Sequence, residues 1–251
     1  MGTLVIEPIA CLKDNYAYLI HASGATDAYL VDPSEAGPVS AALARHNLVL
    51  RGILATHHHQ DHVGGISDLA AQWGATLAFV AGHASDRGRI PQQTTFVAAP
   101  AERFVATDLK IAGRTVLARH IPGHTRGAIA WGLPADADPA VPADVFTGDT
   151  LFGAGCGRLF EGTPADMFGS LAALTDLPET TRLWFGHEYT AGNLRFAEFV
   201  EPDNQAVLAR RAGLGMCTTP TTVALERATN PFVRASSIEV LAERRAAKDN
   251  F

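Results

Sequence analysis

The chain has 251 residues, enough for one domain or two with a sizeable core, and its 47% hydrophobic and 18% charged residues are those of an ordinary globular protein. A formal net charge of −6 with no basic stripe argues against nucleic acid as a partner, and no apolar run is long enough to span a bilayer. Three scattered cysteines, Cys11, Cys156 and Cys217, argue against a disulfide framework and for a reducing cytoplasm.

Along the chain, Met1-Gly2-Thr3-Leu4-Val5-Ile6 is not a signal peptide, and Ile6 breaks the myristoylation-like start. Ala28-Tyr29-Leu30-Val31 is strand-like and runs into Asp32-Pro33, where Asp32 either orients a ligand histidine from behind or caps the turn. Leu50-Arg51-Gly52-Ile53-Leu54-Ala55 reads as a short buried strand. It leads straight into Thr56-His57-His58-His59-Gln60-Asp61-His62. On an extended backbone His57 and His59 point to one side, His58 to the other, and Val63-Gly64-Gly65 lets the chain turn after Asp61 and His62. Thr76-Leu77-Ala78-Phe79-Val80 is a further strand candidate.

The pattern of a strand, a glycine and a ligand-type residue then repeats. Thr115 to Ile121 precedes Pro122-Gly123-His124-Thr125, and Phe146-Thr147-Gly148-Asp149-Thr150 carries one carboxylate. Leu183-Trp184-Phe185-Gly186-His187 ends a third apolar run on a histidine. Between these lies a helix, with Thr163 as cap, Pro164 in the first turn and Asp166 closing a capping box; Met167, Leu171 and Leu174 share its buried face. Beyond Tyr189 strand signals fade. Asn193 to Val200 and Asp203 to Ala212 read as helices, and Ser236 with Glu239 boxes the start of a last one.

His57, His59, His62, His124 and His187 supply five imidazoles, Asp61 and Asp149 two carboxylates. One catalytic zinc takes three or four protein ligands, so seven exceed one ion and fit two. A carboxylate can bridge, which makes Asp149 the shared ligand. We assign His57, His59 and His124 to one ion and Asp61, His62 and His187 to the other, with a bridging water or hydroxide as the expected nucleophile. His21, His46, His83 and His120 lack such a context, and Cys156 has no base beside it in sequence.

The chain resembles the metallo-β-lactamase superfamily, whose signature T-H-x-H-x-D-H is matched from Thr56 to His62. Within it the chain is similar to glyoxalase II, the hydroxyacylglutathione hydrolases. The narrower match runs through Cys11 to Tyr18, Gly148 to Phe152 on to Gly155-Cys156-Gly157-Arg158, Gly186 to Thr190, Asn230-Pro231-Phe232 and Lys248 to Phe251. Periodicity alone shows only α/β character. The resemblance implies an αββα sandwich over residues 1–188 and a small helical substrate-binding domain over 189–251. It further implies cleavage of S-D-lactoylglutathione to glutathione and D-lactate, the second step of methylglyoxal detoxification. Two divalent ions are implied, zinc first, with iron or manganese as alternatives.

Arg245 and Lys248 lie three apart and share a helix face. A solvated face is the plainer reading, but the family binds glutathione with the pattern Arg-x-x-Lys-Asp, matched by Arg245 to Asp249. Arg158 stands at a basic position of the family and Tyr189 at its Gly-His-Glu-Tyr tyrosine. Phe160 departs from the tyrosine of many relatives and removes a hydroxyl hydrogen bond, about 0.5–1.5 kcal/mol. A small-molecule thioester is the expected partner, of a cytoplasmic monomer. The alternatives are a β-lactamase, a one-iron persulfide dioxygenase and a protein in which the metal is structural.

Overall fold

Strand Asn15–Ala22 is buried at all but one of its positions, because the sheet that holds it is covered on both faces. The computed structural model describes residues 2–135 and 138–251. Two six-stranded sheets carry the fold among these residues. The first runs in sequence order: β1 (Leu4–Cys11), β2 (Asn15–Ala22), β3 (Asp27–Val31), β4 (Val49–Leu54), β5 (Phe79–His83) and β6 (Thr95–Val97). Pairing is antiparallel from β1 to β3 and parallel from β3 to β6. The connections around β4 carry helices α1 (Ala36–Arg45), α2 (Gln60–Val63) and α3 (Ile66–Trp73). In the second sheet β7 (Val105–Ile111), β8 (Arg114–His120), β9 (Ile129–Ala135) and β10 (Asp138–Gly148) form an antiparallel meander. A two-strand hairpin follows, β11 (Leu151–Phe152) with β12 (Gly155–Cys156); then come α4 (Pro164–Thr175) and β13 (Arg182–Phe185), which returns parallel to β10. The last elements are α5 (Thr190–Val200), α6 (Gln205–Ala212), β14 (Thr221–Thr222), α7 (Val223–Thr229) and α8 (Ile238–Asp249).

Side chains alternate along each strand and so feed separate layers. Tyr18, Ile20 and Leu54 meet Val116, Trp131, Phe146 and Trp184 between the sheets. Leu19, Leu30, Leu50 and Ile53 turn the other way, onto Val39, Leu43, Ile66 and Leu69 of α1 and α3. Ala130, Val145 and Leu183 face Met167, Leu171 and Leu174 of α4, together with Phe196 and Leu241 from the tail. The result is the αββα sandwich the sequence implied. Two bonds tie the layers beside the histidine motif: Trp131 Nε1 donates to Ala55 O at 3.0 Å, and Ile129 N to Thr56 O at 2.9 Å.

Several local expectations shift. His57, His58 and His59 lie past the end of β4, in a loop, rather than on an extended strand, and Gln60–Val63 forms a helical turn there. The strand expected from Thr76 begins at Phe79, since Thr76 Oγ1 bonds Trp73 O and Leu50 O, both at 3.0 Å, and closes the end of α3. The capping box of α4 forms with Thr163 and Asp166, but α8 is capped by Ser237, not Ser236: its Oγ accepts from Val240 N at 3.3 Å. Helix α5 starts at Thr190, earlier than Asn193, and β14 adds a short strand to β13 in a region where no strand was expected.

The tail is tied down by a buried carboxylate. Glu226, fully enclosed, accepts from Ala154 N (2.9 Å), Thr221 Oγ1 (2.7 Å) and Asn230 Nδ2 (2.9 Å), and pairs with Arg210 Nη1 at 2.8 Å. Glu226→Ala leaves the Arg210 charge without its carboxylate and removes the acceptor of Ala154 N and Thr221 Oγ1, so it should lower unfolding stability by about 3–5 kcal/mol. A urea midpoint that does not move would contradict this.

Candidate metal centre

The signature loop is held before its histidines are. Asp32 accepts from Thr56 N at 2.8 Å and from Thr56 Oγ1 at 2.6 Å, and its Oδ2 also lies 3.0 Å from His62 Nδ1. Of the two readings of Asp32, the structure shows the one that orients a histidine. His187 Nδ1 is 2.9 Å from Asp14 Oδ1, and His124 Nδ1 is 2.9 Å from Arg158 O. An acceptor on the outer nitrogen orients each ring and aims its Nε2 inward, as a lone pair wherever the imidazole is neutral.

Those inward nitrogens converge. His62 Nε2 and His187 Nε2 are 3.2 Å apart, as close as hydrogen-bonded atoms. His124 Nε2 stands 3.0 Å from His59 Nδ1. Asp149 lies among them, with Oδ1 3.2 Å from His62 Nε2 and Oδ2 3.4 and 3.3 Å from the Nε2 atoms of His124 and His187. Asp61 Oδ2 approaches His187 Nε2 at 3.3 Å and is steadied by Asn15 Nδ2 at the same distance. His57, His59 and His124 form one group able to hold an ion, and Asp61, His62 and His187 another. A third grouping joins Asp32, His57 and His62, but its Asp32 is already spent on Thr56 and His62 Nδ1.

The atoms left over fit cations. His57 Nε2 and Asp149 Oδ1 are buried with no hydrogen-bond partner. A buried lone pair without a donor costs about 1–3 kcal/mol, and a metal ion removes that cost. Charge agrees with the geometry. Burial, followed by neighbouring imidazoles, pulls His57 well below its usual pKa and His59 down to about 4, and burial lowers His124 as well. These three are neutral imidazoles, the state in which a histidine can take a cation. Burial acts the same way on His62 and His187, but Asp149, with Asp32 for one and Asp61 for the other, outweighs it. His62 rises well above its usual value and His187 to about 10. Burial alone would raise Asp149, yet His62 and His187 hold it well below the carboxylate range. The carboxylates therefore keep protons on His62 and His187, where cations would sit. Two glycines make room: a methyl on Gly186 would overlap Asp149 Oδ1 and His62 Cε1, and Gly148, at φ +51°, lies against Thr56 Oγ1.

A cavity of about 910 Å³ opens over this cluster. His59, Asp61, His124, Asp149 and His187 form its floor, while His57 and His62 lie buried beneath. Arg158, Phe160, Tyr189, Arg245 and Lys248 all line its walls. Their states differ from a simple picture of free cations. Arg245 is buried, donating from Nη1 to Cys156 O (2.8 Å) and from Nη2 to Asp249 Oδ1 (3.0 Å), so it braces the wall loop. Arg158 is exposed, with Nε 3.3 Å from the same Asp249 oxygen. Lys248 Nζ reaches Gly192 O at 3.2 Å. Phe160 lies edge-on to His59 and His124, with ring centres 5.6 and 5.3 Å away. Tyr189 stacks flat on His187 at 4.7 Å.

Sequence reasoning missed the residues behind the ligands. Asp14 and Asn15 stood within a quoted motif without a role, and Glu188, Gly192 and Asn193 also line the cavity. His58 turns away from the centre toward Asp86 (3.2 Å) and Glu161 (3.6 Å), although the loop here is not the extended strand on which that orientation was expected. Cys156 is buried and its thiol is pushed up to about 11, chiefly by burial, which keeps it from acting as a nucleophile. His83 and His120 stack on each other at 4.5 Å and take no part.

Residues 13–187 match the family model of the metallo-beta-lactamase superfamily, and residues 188–251 that of the hydroxyacylglutathione hydrolase C-terminus. A hydroxyacylglutathione hydrolase of Synechococcus sp. (strain ATCC 27144 / PCC 6301 / SAUG 1402/1) is 43% identical over 98% of this chain and 99% of its own. The chain belongs to the hydroxyacylglutathione hydrolase family. A second member, from Thermosynechococcus vestitus, is 44% identical over 92% of this chain and 88% of its own. Among solved structures, ETHE1 from Myxococcus xanthus shares the fold at TM-score 0.69, covering 96% of this chain and 90% of that one, with 23% identity. The TTHA1623 protein, solved in a di-iron-bound form, is 26% identical at TM-score 0.58 over 91% of this chain and 99% of its own. The His and Asp clusters of this family member suit divalent metal ions.

Two outcomes follow from the site. His187 holds a proton up to about pH 10, so each ion that takes its Nε2 expels one. Apparent metal affinity should fall about tenfold per proton per pH unit, so between pH 8 and pH 6 by roughly 100-fold for the His187 proton alone and by more with that of His62. Competition with a chromophoric chelator at the two pH values measures it, and a pH-independent affinity would refute the reading. Gly186→Ala should expel bound metal while leaving far-UV circular dichroism intact; full metal content in that variant would show that Asp149 and His62 can give way.

Proposed function

We propose that the protein is a binuclear metal-dependent thioester hydrolase. It cleaves S-(2-hydroxyacyl)glutathione, S-D-lactoylglutathione first of all, to glutathione and the 2-hydroxy acid. The observation that carries this is one cavity with two chemistries: imidazoles and carboxylates on its floor, cationic and aromatic side chains from the tail on its wall. Residues 1–188 then act as the catalytic part and residues 189–251 as the substrate-binding part. When bound, two divalent ions, zinc first with iron or manganese as alternatives, polarise the thioester carbonyl and bring the pKa of water toward neutrality.

The chain's own residues do the rest. His57, His59 and His124 would hold one ion and Asp61, His62 and His187 the other, with Asp149 as the ligand available to both. Asp14, Asp32 and Arg158 O keep the imidazoles aimed. Phe160 covers the His59 and His124 side of the floor and excludes water from the acyl group. Lys248 and Arg158 bind the carboxylates of the glutathione arm, while Arg245 fixes the wall that carries Arg158. Tyr189, raised above its usual pKa by burial and by Asp14, stays a protonated phenol and a hydrogen-bond donor in the cavity. Glutathione leaves as a thiolate; a thiol pKa near about 8.5 makes a protein acid unnecessary.

All three cysteines are free, and among the described residues no helix is long and apolar enough to cross a membrane. We place the protein in the cytoplasm, acting on its small-molecule substrate as a monomer.

Purified protein should hydrolyse S-D-lactoylglutathione with two metal ions per chain, and no thioester loss at full metal occupancy would overturn the proposal. Lys248→Ala removes a charged donor and should raise KM by roughly tenfold or more, with kcat and metal content near wild type. A fall in metal content would instead make Lys248 structural.

A further inference from the structure

Lysine is a poor binding residue until something holds it. Its ammonium sits on four flexible carbons, and ordering that stem costs entropy that subtracts from affinity. Lys248 is held from three sides. Nζ donates to Gly192 O at 3.2 Å and lies 5.4 Å from the ring centre of Phe196 and 5.3 Å from that of Phe251. An ammonium within about 6 Å of an aromatic face is attracted by the ring quadrupole.

The two rings are unlike each other. Phe196, on α5, is fully buried and belongs to the core against α4 and α8. Phe251 is 57% exposed. The chain brings it back deliberately: Asn250 ends α8, and Phe251 N donates to Lys248 O at 3.4 Å. That turn sets the ring edge-on to Phe196 at 5.5 Å and beside Phe199 at 5.4 Å. So little burial is weak reward for an ordered phenylalanine, and the ammonium it reaches lines the substrate cavity. Burial, and after it the repulsion of Arg245 and Arg195, push the other way and lower the Lys248 pKa. The rings oppose that repulsion without neutralising the charge, as a carboxylate would. Of three ammonium donors, one is spent on Gly192 O, which leaves two for a ligand.

We propose that Phe251 is a positioning residue for glutathione binding, which with Phe196 clamps the Lys248 ammonium at the cavity wall; this rests on the function proposed above. Phe251→Ala and Phe251→Leu should each raise KM for S-D-lactoylglutathione by about three- to fivefold with kcat within about twofold, whereas Phe251→Tyr should stay near wild type. Leucine preserves apolar bulk and removes only the quadrupole, so it separates the clamp from simple packing. A second readout needs no substrate. The chain has three lysines, Lys13, Lys110 and Lys248. With lysine labelled at ε-13C, ring currents should set the Lys248 methylene apart from the other two, and Phe251→Leu should bring it toward them.

A wild-type KM in Phe251→Leu, or a Lys248 resonance indifferent to it, overturns the clamp. If Phe251→Ala fails to fold, the Leu and Tyr pair still decides. Wild-type protein that cleaves no glutathione thioester sinks the proposed function and the glutathione role together, while the resonance separately confirms or rejects the ring contact.

Discussion

Everything in the centre turns on one buried carboxylate. Asp149 is nearly enclosed, and its oxygens lie within 3.4 Å of three imidazole nitrogens that come from distant parts of the chain. An ionised group at such a depth needs compensating positive charge. His62 and His187 supply it as imidazolium, and divalent ions would supply it more completely. The packing around Asp149 follows from the same demand. Gly148 leaves β10 with positive φ, and Gly186 stays bare so that β13 can pass close to Asp149 and His62.

The sandwich is what makes that convergence possible. The histidine motif follows β4 in one sheet, whereas His124, Asp149 and His187 follow β8, β10 and β13 in the other. Only the stacking of the two sheets, with Trp131 reaching across to Ala55 O, brings those strand ends together. The tail closes the cavity from outside and is locked there by Glu226, which accepts from Ala154 N between β11 and β12, and by Leu241 in the core. Binding and ligand residues thus share one wall-and-floor arrangement, although they lie far apart in sequence.

How far the chain was legible depended on how local each feature is. Thr56 to His62 announced the metal chemistry because the ligands are neighbours, and the Thr163–Asp166 box was readable because a cap spans one helical turn. Boundaries set by side chains from elsewhere were not. Thr76 looked like strand and instead bonds Leu50 O, and Thr221–Thr222 became strand only because β13 offers it an edge. Arg245 and Lys248 were readable as a pair on one face. That Arg245 is buried and spent on Cys156 O and Asp249, while Lys248 lies between two phenylalanine rings, was not.

By itself, the sequence determined the inventory of ligand-type residues, the α/β character and the cationic pattern near residues 245–248; the αββα sandwich was implied only by the family resemblance. Those properties reside in residue type and short spacing. The tertiary structure decided which of these side chains lie together in groups able to hold an ion, which carboxylates stand behind which imidazoles, and which cations face the cavity. Asp14 is 173 residues from the His187 it orients, and no periodicity spans that interval. Proximity of that kind is made by sheet stacking, and so it exists only once the chain has folded.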